Sequence, residues 1–424
     1  MKIAILGYGL EGKSVEKYFK DKAEITIFNN FKKLPDTSEF DLVFRTPSVK
    51  VPENEPKNWT SVTKYFFENC PCKIIGVTGT KGKGTTCTMT RELLEAFGKT
   101  VYLVGNIGEP AIDSLDKIKE NDVVIYELSS FQLWDLDRSP DIAVVLRIEP
   151  DHLNVHKDFD DYVSAKANIA KHQYPEDSLI FFRLNPTSKK FAQIGPAQKI
   201  AYPYIAKTGD VITDFENTKI AQQLFQHLPL LGKHNQENLE AALLATYAYL
   251  HPIGSKPESY LDWLEANQTT LEKAIQNMTP LPHHIEFVRE LNNVKYYDDS
   301  FCTVFPALDV ALKSFDNTPL VLIAGGSDKG VDLGPAKRAI FDRKNLLKAV
   351  LIGETAEKLA ENENPERYVL AGTDFKKAIE TAKALAEEAK EPAVVLLSPV
   401  AASFDMFKSY KDRGDRFKAI VNSL

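Results

Sequence analysis

Short apolar runs alternate with stretches of helical periodicity along the whole chain, and glycine-rich or polar turns stand between them. Ile74 to Val77 is one such run, read as a buried strand. Leu93, Leu94 and Phe97 follow at the spacing of one helical face. Residues 2–20 repeat the order of strand, glycine turn and helix. Further strands are expected at Glu24–Phe28, Leu42–Phe44, Val101–Val104, at the apolar run from Asp122 to Glu127, and at Ile142–Ile148. Helices are expected around Tyr162–Ile169 and over Leu239–Leu250, the latter with Asn235 as a plausible N-cap. Pro280-Leu281-Pro282 then marks a boundary. Beyond it come a strand pair, Ile285–Arg289 and Val294–Tyr297, a helix from about Pro306, and strands at Leu320–Ala324, Ala349–Ile352 and Val394–Leu397. Strands that alternate with helices build parallel sheets. The pattern predicts an α/β protein of three domains: a Rossmann-like module over 1–72, a central P-loop domain with a parallel or mixed sheet over 73–279, and a Rossmann-like domain with a parallel sheet over 280–424.

Composition narrows the class. A chain of 424 residues is long enough for several domains. Its 52 basic and 59 acidic residues leave a net charge of −7, and no long basic run suggests a nucleic-acid partner. No apolar stretch is long enough to span a bilayer, and the N-terminus enters a strand at once rather than a signal peptide. The four cysteines, Cys70, Cys72, Cys87 and Cys302, form neither a disulfide framework nor a zinc pattern, although Cys70-Pro71-Cys72 is close enough to notice. These features fit a protein of the reducing cytoplasm.

The chemistry concentrates at strand ends. Gly79-Thr80-Lys81-Gly82-Lys83-Gly84-Thr85-Thr86 follows the strand at Ile74. Glycines let backbone N–H groups approach phosphate oxygens, the helix N-terminus adds partial positive charge, and lysine adds a full one. Lys83 is assigned to the β/γ-phosphates and Thr85 to a phosphate-bound Mg²⁺. The strict phosphate-loop pattern wants glycine at Val77 and a hydroxyl at Gly84; here Gly76 and Gly79 supply the flexibility and the threonines come one step later. Gly7, Gly9 and Gly12 form the dinucleotide fingerprint, but the second strand ends in Asn29-Asn30 instead of the acid that holds a nicotinamide ribose. A nucleotide diphosphate at Gly9, Leu10 and Gly12, with the asparagine amides on a sugar or base, is the reading; a turn that serves packing alone is the alternative. Glu127 closes a buried strand where a nucleotide-bound Mg²⁺ expects a carboxylate, although taken alone an ordinary strand-end charge is the better reading. Asp151 and His152 lie past another. His152 and His156 are four apart, but no third zinc ligand follows, and His156 reads as a surface histidine. Taken alone, Lys166 is a solvated helix lysine.

Taken in order, VTGTKGKGTT, NIG, ELSSFQL, DH, AK, GKHNQEN, DDS, GGSDKG and LSPVAASFD resemble the Mur ligases across nearly the whole chain. Within that family the N-terminal ILGYGLEGKS and the C-terminal LSPVAASFDMFKSYKDRGDRF are most similar to the branch that adds D-glutamate to UDP-N-acetylmuramoyl-L-alanine. The resemblance implies an ATP-dependent ligase of peptidoglycan precursor synthesis, acting as a monomer through an acyl phosphate. It implies two Mg²⁺ sites, with Thr85, Glu127, His152 and a carbamylated Lys166 as ligands. It places Asn238, His284 and Asp299 on ATP, Asn106 and Ser129 on the muramoyl substrate, and Lys329, Thr303, Ser403 and Tyr410 on D-glutamate. The chain departs from the family at Lys81 (usually Asn), Gly84 (often Ser), His284 (Arg), Phe301 (Lys) and Tyr410 (Phe), and in the uracil-side residues Asn29 to Phe31. The Gly-Lys-Gly order is shared with folylpolyglutamate synthases, which lack the Gly7–Gly12 module. Another Mur-type ligase and a nucleotide-binding pseudoenzyme are further rivals.

Overall fold

The computed structural model describes residues 1–50, 54, 56–208, 211–253 and 259–424. Its first segment runs β1 (Lys2–Leu6), α1 (Leu10–Phe19), β2 (Glu24–Phe28), β3 (Leu42–Arg45), β4 (Trp59–Ser61) and α2 (Val62–Asn69). The four strands form one parallel sheet in the order β2-β1-β3-β4. β4 has no counterpart among the expected strands, because three residues are too few to show alternation. The order reverses at β1, and ligands of open α/β sheets bind beyond the strand ends at such a reversal. The glycine turn lies there. Gly12 is buried, and a Cβ on it would run into the Gly7 carbonyl, so this glycine serves close helix–strand packing.

The central sheet is larger. β5 (Lys73–Thr78), α3 (Lys83–Ala96), β6 (Val101–Gly105), α4 (Ala111–Ser114), β7 (Val123–Glu127), α5 (Ser130–Leu133), β8 (Ile142–Val145), α6 (Phe159–Lys171), β9 (Ser178–Phe182), α7 (Pro186–Lys189) and β10 (Gln198–Tyr202) follow in order. All six strands are parallel, in the order β10-β9-β8-β5-β7-β6, with β5 between β8 and β7. β8 stops at Val145, short of the expected Ile148, because the next residues leave the ladder to hold the loop after β5: the Arg147 carbonyl accepts from Thr80 N at 2.8 Å. A small antiparallel pair, β11 (Ile205–Thr208) and β12 (Val211–Asp214), precedes α8 (Lys219–Gln226), α9 (Lys233–Leu250), α10 (Tyr260–Ala266) and α11 (Gln268–Gln276). α9 begins at Lys233, so Asn235 is inside the helix and not its N-cap; its Nδ2 donates to the Leu231 carbonyl at 2.7 Å.

The last segment holds β13 (Glu286–Leu291), β14 (Val294–Asp298), α12 (Phe305–Lys313), β15 (Leu320–Gly325), α13 (Gly334–Phe341), β16 (Leu346–Ile352), α14 (Ala356–Ala360), β17 (Tyr368–Gly372), α15 (Phe375–Glu387), β18 (Ala393–Leu397) and α16 (Tyr410–Ser423). Its sheet, β13-β14-β18-β15-β16-β17, is mixed and not purely parallel. β13 pairs antiparallel with β14 across Asn292-Asn293, both at positive φ, the backbone that a two-residue hairpin requires. The other four pairings are parallel, and apolar clusters cover both faces.

Contacts divide the chain into two compact units, Met1–Leu228 with Gln236–Met278, and Pro229–Asn235 with Thr279–Leu424. The first unit contains both the N-terminal and the central sheet. One buried cluster runs through both, from Ile3, Phe19 and Phe44 through Phe66 and Phe67 to Tyr126 and Val145. Phe66 and Phe67 pack on the Tyr126 ring with centroids 5.6 and 5.5 Å away. Deeper still, Arg45 meets Asp135 in a two-pronged ion pair, Nη2–Oδ1 at 2.6 Å and Nε–Oδ2 at 3.1 Å, with both side chains buried. Removing one member strands a buried charge, which costs roughly 3–5 kcal/mol. Arg45→Ala is therefore expected to lower stability by about that much in denaturant unfolding. A loss below about 1 kcal/mol would mean that the pair is solvated as a surface bridge is.

Candidate nucleotide and substrate site

In the first unit the site is built on the carboxyl end of β5. Gly82 is in the left-handed region, φ 83°, and caps α3, which then starts at Lys83. The first N–H groups of a helix have no intrahelical acceptor, so those of Lys83, Gly84 and Thr85 are available to an anion. Thr86 N already bonds the Gly82 carbonyl at 2.9 Å. A Cβ on Gly82 would stand 2.5 Å from Asn238 Oδ1, so glycine is required where α9 approaches the loop. Thr86 Oγ1 reaches the same oxygen at 3.4 Å, which puts Asn238 beside the loop. Thr80 has a structural part: its hydroxyl bonds Glu149 N at 2.8 Å and Glu149 O at 2.9 Å. Lys81 is exposed, 3.9 Å from Asp151 Oδ2. Thr85 is half-buried.

Lys83 folds back over the loop, its Nζ donating to the Gly79 carbonyl at 3.1 Å and the Thr80 carbonyl at 3.2 Å. Burial pushes its ammonium below the usual lysine range, with Glu127 acting the other way. The Glu127 carboxylate is buried at the end of β7. Asn106 Nδ2 donates to its Oε1 at 3.0 Å, while Oε2 is buried without a hydrogen-bond partner among the described residues. Asn106 therefore positions Glu127. A buried carboxylate oxygen without a donor is what a cation ligand looks like before the cation arrives, and with the Lys83 ammonium it fits a Mg²⁺–phosphate group.

Lys166 is not the solvated helix lysine that its sequence context alone indicates. It projects from α6 into the protein, 1% exposed, and donates to Thr78 Oγ1 and to the Gly79 carbonyl, both at 3.1 Å. Its Nζ lies 4.8 Å from the Tyr162 ring centroid. Burial, followed by the repulsion of Lys83, pushes its pKa well down. His152 is at φ 55° with an exposed ring whose Nε2 is 3.9 Å from Asp151 Oδ2; partial desolvation lowers its pKa. His156 is not a surface residue. It is 3% exposed, and its ring bonds Asp161 Oδ2 and Ser130 Oγ, both at 2.9 Å, and stacks on Phe131. The turn after His152 rolls this side chain inward, which a spacing argument does not reveal.

Gly9, Leu10, Asn29 and Asn30 lie at the carboxyl ends of β1 and β2, exposed to solvent, and a Cβ on Gly9 would meet open space. Ser129 caps α5 in a reciprocal box with Gln132, and Gln132 Nε2 donates to Glu11 Oε1 at 3.0 Å. Glu11 was not among the expected site residues. Burial pushes its carboxyl up to about 7, and a solitary acid in a glycine turn gives no sequence signal of that.

In the second unit, the ends of β14, β15 and β18 come together. Arg413, fully buried, was missed as well. It donates to Ser300 Oγ and O, both at 2.9 Å, and to the Ala401 and Ala402 carbonyls at 3.1 and 3.2 Å. This clamp joins the segment carrying Asp299 and Thr303 to the segment carrying Ser403. Ser300 Oγ also bonds the Tyr410 carbonyl at 2.8 Å, and Ser327 N bonds the Ala402 carbonyl at 2.9 Å, which brings Tyr410 and the loop of exposed Lys329 to the same edge. Asp299 is buried and bonded to Ser398 Oγ at 2.7 Å and Ile285 N at 3.3 Å; burial pushes its carboxyl up to about 8. His284 and Phe301, two departures from the family pattern, stack on each other at 4.2 Å, and Phe301 meets Tyr410 edge-on at 5.1 Å.

The Mur ligase middle domain model matches residues 77–246. The UDP-N-acetylmuramoylalanine–D-glutamate ligase of Acetivibrio thermocellus is 35% identical over the whole chain and 96% of its own length. Its namesake from Clostridium tetani is 32% identical over the whole chain and 97% of its length. Among solved structures, the MurF ligase of Thermotoga maritima in complex with ADP superposes with a TM-score of 0.60 at 15% identity, covering 99% of this chain and 95% of that one. The UDP-N-acetylmuramate-alanine ligase MurC of the same organism gives 0.58 at 16% identity, covering 100% and 99%. These two share the fold. The chain belongs to the Mur ligase family.

Proposed function

We infer that the chain is the family's D-glutamate-adding member, an ATP-dependent ligase that joins D-glutamate to UDP-N-acetylmuramoyl-L-alanine in peptidoglycan precursor synthesis. The full-length relatives of that name carry this reading. Residues 1–72 take the UDP end of the substrate, 73–279 the ATP, and 280–424 the amino acid. No helix among the described residues is long and apolar enough to cross a membrane, and a nucleotide-linked substrate and ATP are met in the cytoplasm.

A carboxylate resists attack by an amine because oxide is a poor leaving group. The substrate carboxylate therefore takes the γ-phosphoryl group of ATP, releasing ADP and leaving an acyl phosphate. The D-glutamate amine attacks the acyl carbon, phosphate departs, and an amide remains. Lys83 and the α3 N-terminus hold the phosphates and meet the charge that develops on them. Mg²⁺, when bound, neutralises phosphate charge; Thr85, Glu127, His152 and a carbamylated Lys166 are the groups to hold two ions. The carbamate reading rests on chemistry at Lys166. Burial that pushes a lysine's pKa down favours its neutral amine, the form that adds CO₂ to give a carbamate and a proton. The product is a carboxylate-like oxygen ligand beside Glu127's side of the loop. Lys329, Thr303, Ser403 and Tyr410 hold the D-glutamate.

Phosphate release from ATP with UDP-N-acetylmuramoyl-L-alanine tests the reading against a panel of amino acids, with product masses checked. Release with D-glutamate and the matching amide is expected. Release only with a different amino acid would keep the ligase chemistry and reject the assignment of Thr303, Ser403 and Tyr410 to D-glutamate. No release with any of them would reject the substrate.

A further inference from the structure

Cys70 and Cys72 flank Pro71 in the link from α2 to β5, and their Sγ atoms are 3.8 Å apart. Both thiols are half-buried and reachable, whereas Cys87 and Cys302 are buried. The backbone of the link is held at both ends: Cys70 N bonds the Phe66 carbonyl at 2.8 Å, and Ile74 N bonds Asp141 Oδ2 at 2.8 Å. Two sulfurs on a fixed link, in contact with each other and open to solvent, form a dithiol already gathered for closure. Residues two apart have Cα atoms at most about 7 Å apart, which overlaps the roughly 4.4–6.8 Å that a disulfide spans.

We propose that Cys70 and Cys72 are a redox-modification site that closes to an intramolecular disulfide by exchange with a small disulfide such as oxidised glutathione. The thiolate of one cysteine displaces one glutathione thiolate and becomes a mixed disulfide. The sulfur of the other, after losing its proton to solvent, attacks the cysteine sulfur of that mixed disulfide and displaces the second. Two thiols are oxidised, one small disulfide is reduced, and two protons leave. The two sulfurs share one hydrogen bond, which holds the Cys70 thiol below its usual range against the opposing cost of burial and, together with burial, pushes the Cys72 thiol up. The thiolate is the nucleophile. The ring encloses only Pro71, so closure constrains little of the unfolded chain and adds little stability. Its effect is local, at the joint that leads into β5.

The test uses the full chain at neutral pH with oxidised glutathione, read by thiol titration in denaturant, intact mass and peptide mapping. Titratable thiols are expected to fall from the four of the reduced chain to the two buried ones. The mass should drop by two hydrogens, with Cys70 and Cys72 linked and a reductant reversing it. Cys72→Ser should stop at a glutathione adduct on Cys70, and Cys70→Ser at a glutathione adduct on Cys72. Four remaining thiols, a lasting glutathione adduct on the unmodified sequence, or a link involving Cys87 or Cys302 would overturn the proposal.

Discussion

Lys83→Ala is expected to cut ATP-dependent turnover by about a thousandfold or more while leaving the fold standing. The magnitude follows from the role. A cation that meets charge developing on a transferring phosphoryl group contributes several powers of ten, because catalysis of this transfer is almost wholly positioning and electrostatics. The fold should survive because Nζ bonds only two loop carbonyls, Gly79 and Thr80, which solvent can satisfy in its place. Burial also holds the ammonium below its usual pKa, so removing it relieves a desolvation cost. Steady-state phosphate release, paired with circular dichroism and a thermal scan, separates the two effects. Activity within about tenfold of the unchanged chain would remove Lys83 from the phosphates.

Lys166→Ala should be nearly as damaging, and its signature is different. If Lys166 acts as a carbamate, the unchanged protein loses activity in CO₂-depleted buffer and regains it with bicarbonate, whereas the alanine variant stays low in both. The expected loss is on the order of a hundredfold or more, the usual size for removing an electrostatic participant. An unchanged protein indifferent to bicarbonate, together with a Lys166 mass free of added CO₂, would leave the lysine as a buried amine that only ties Thr78 to Gly79.

The strands that carry these residues were readable because each apolar run ends in glycine, a carboxylate or a polar cluster, and β5, β7 and β18 appear close to where periodicity puts them. Side-chain direction was not readable in the same way. Lys166 and His156 both look solvated in sequence, yet both point inward, because burial depends on which way a turn carries the following helix. Arg413 and Glu11 were hidden for a related reason. A guanidinium that bonds four backbone or hydroxyl oxygens, and a carboxyl whose partner is Gln132, more than a hundred residues away, depend on long-range packing that no local pattern records. The mixed character of the last sheet turns on Asn292-Asn293, a hairpin signal weaker than an Asn-Gly pair.

The apolar cluster that runs from Ile3 to Val145 has a bearing on how this chain can be re-engineered. Recombining family members by exchanging their first 72 residues is attractive if each sheet is a cassette. Here the cut would fall between Phe67 and Tyr126, through rings in direct contact, and would separate Arg45 from Asp135. A graft would succeed only if the donor brought matching volumes at Phe66, Phe67 and Phe44 and the same ion pair. The better crossover point is near residue 279, where the chain passes for good into the second compact unit, provided the donor also supplies Pro229–Asn235, which belong to that unit. Chimaeras joined in this way exchange the second unit and leave the first whole, with its shared apolar cluster and its buried ion pair.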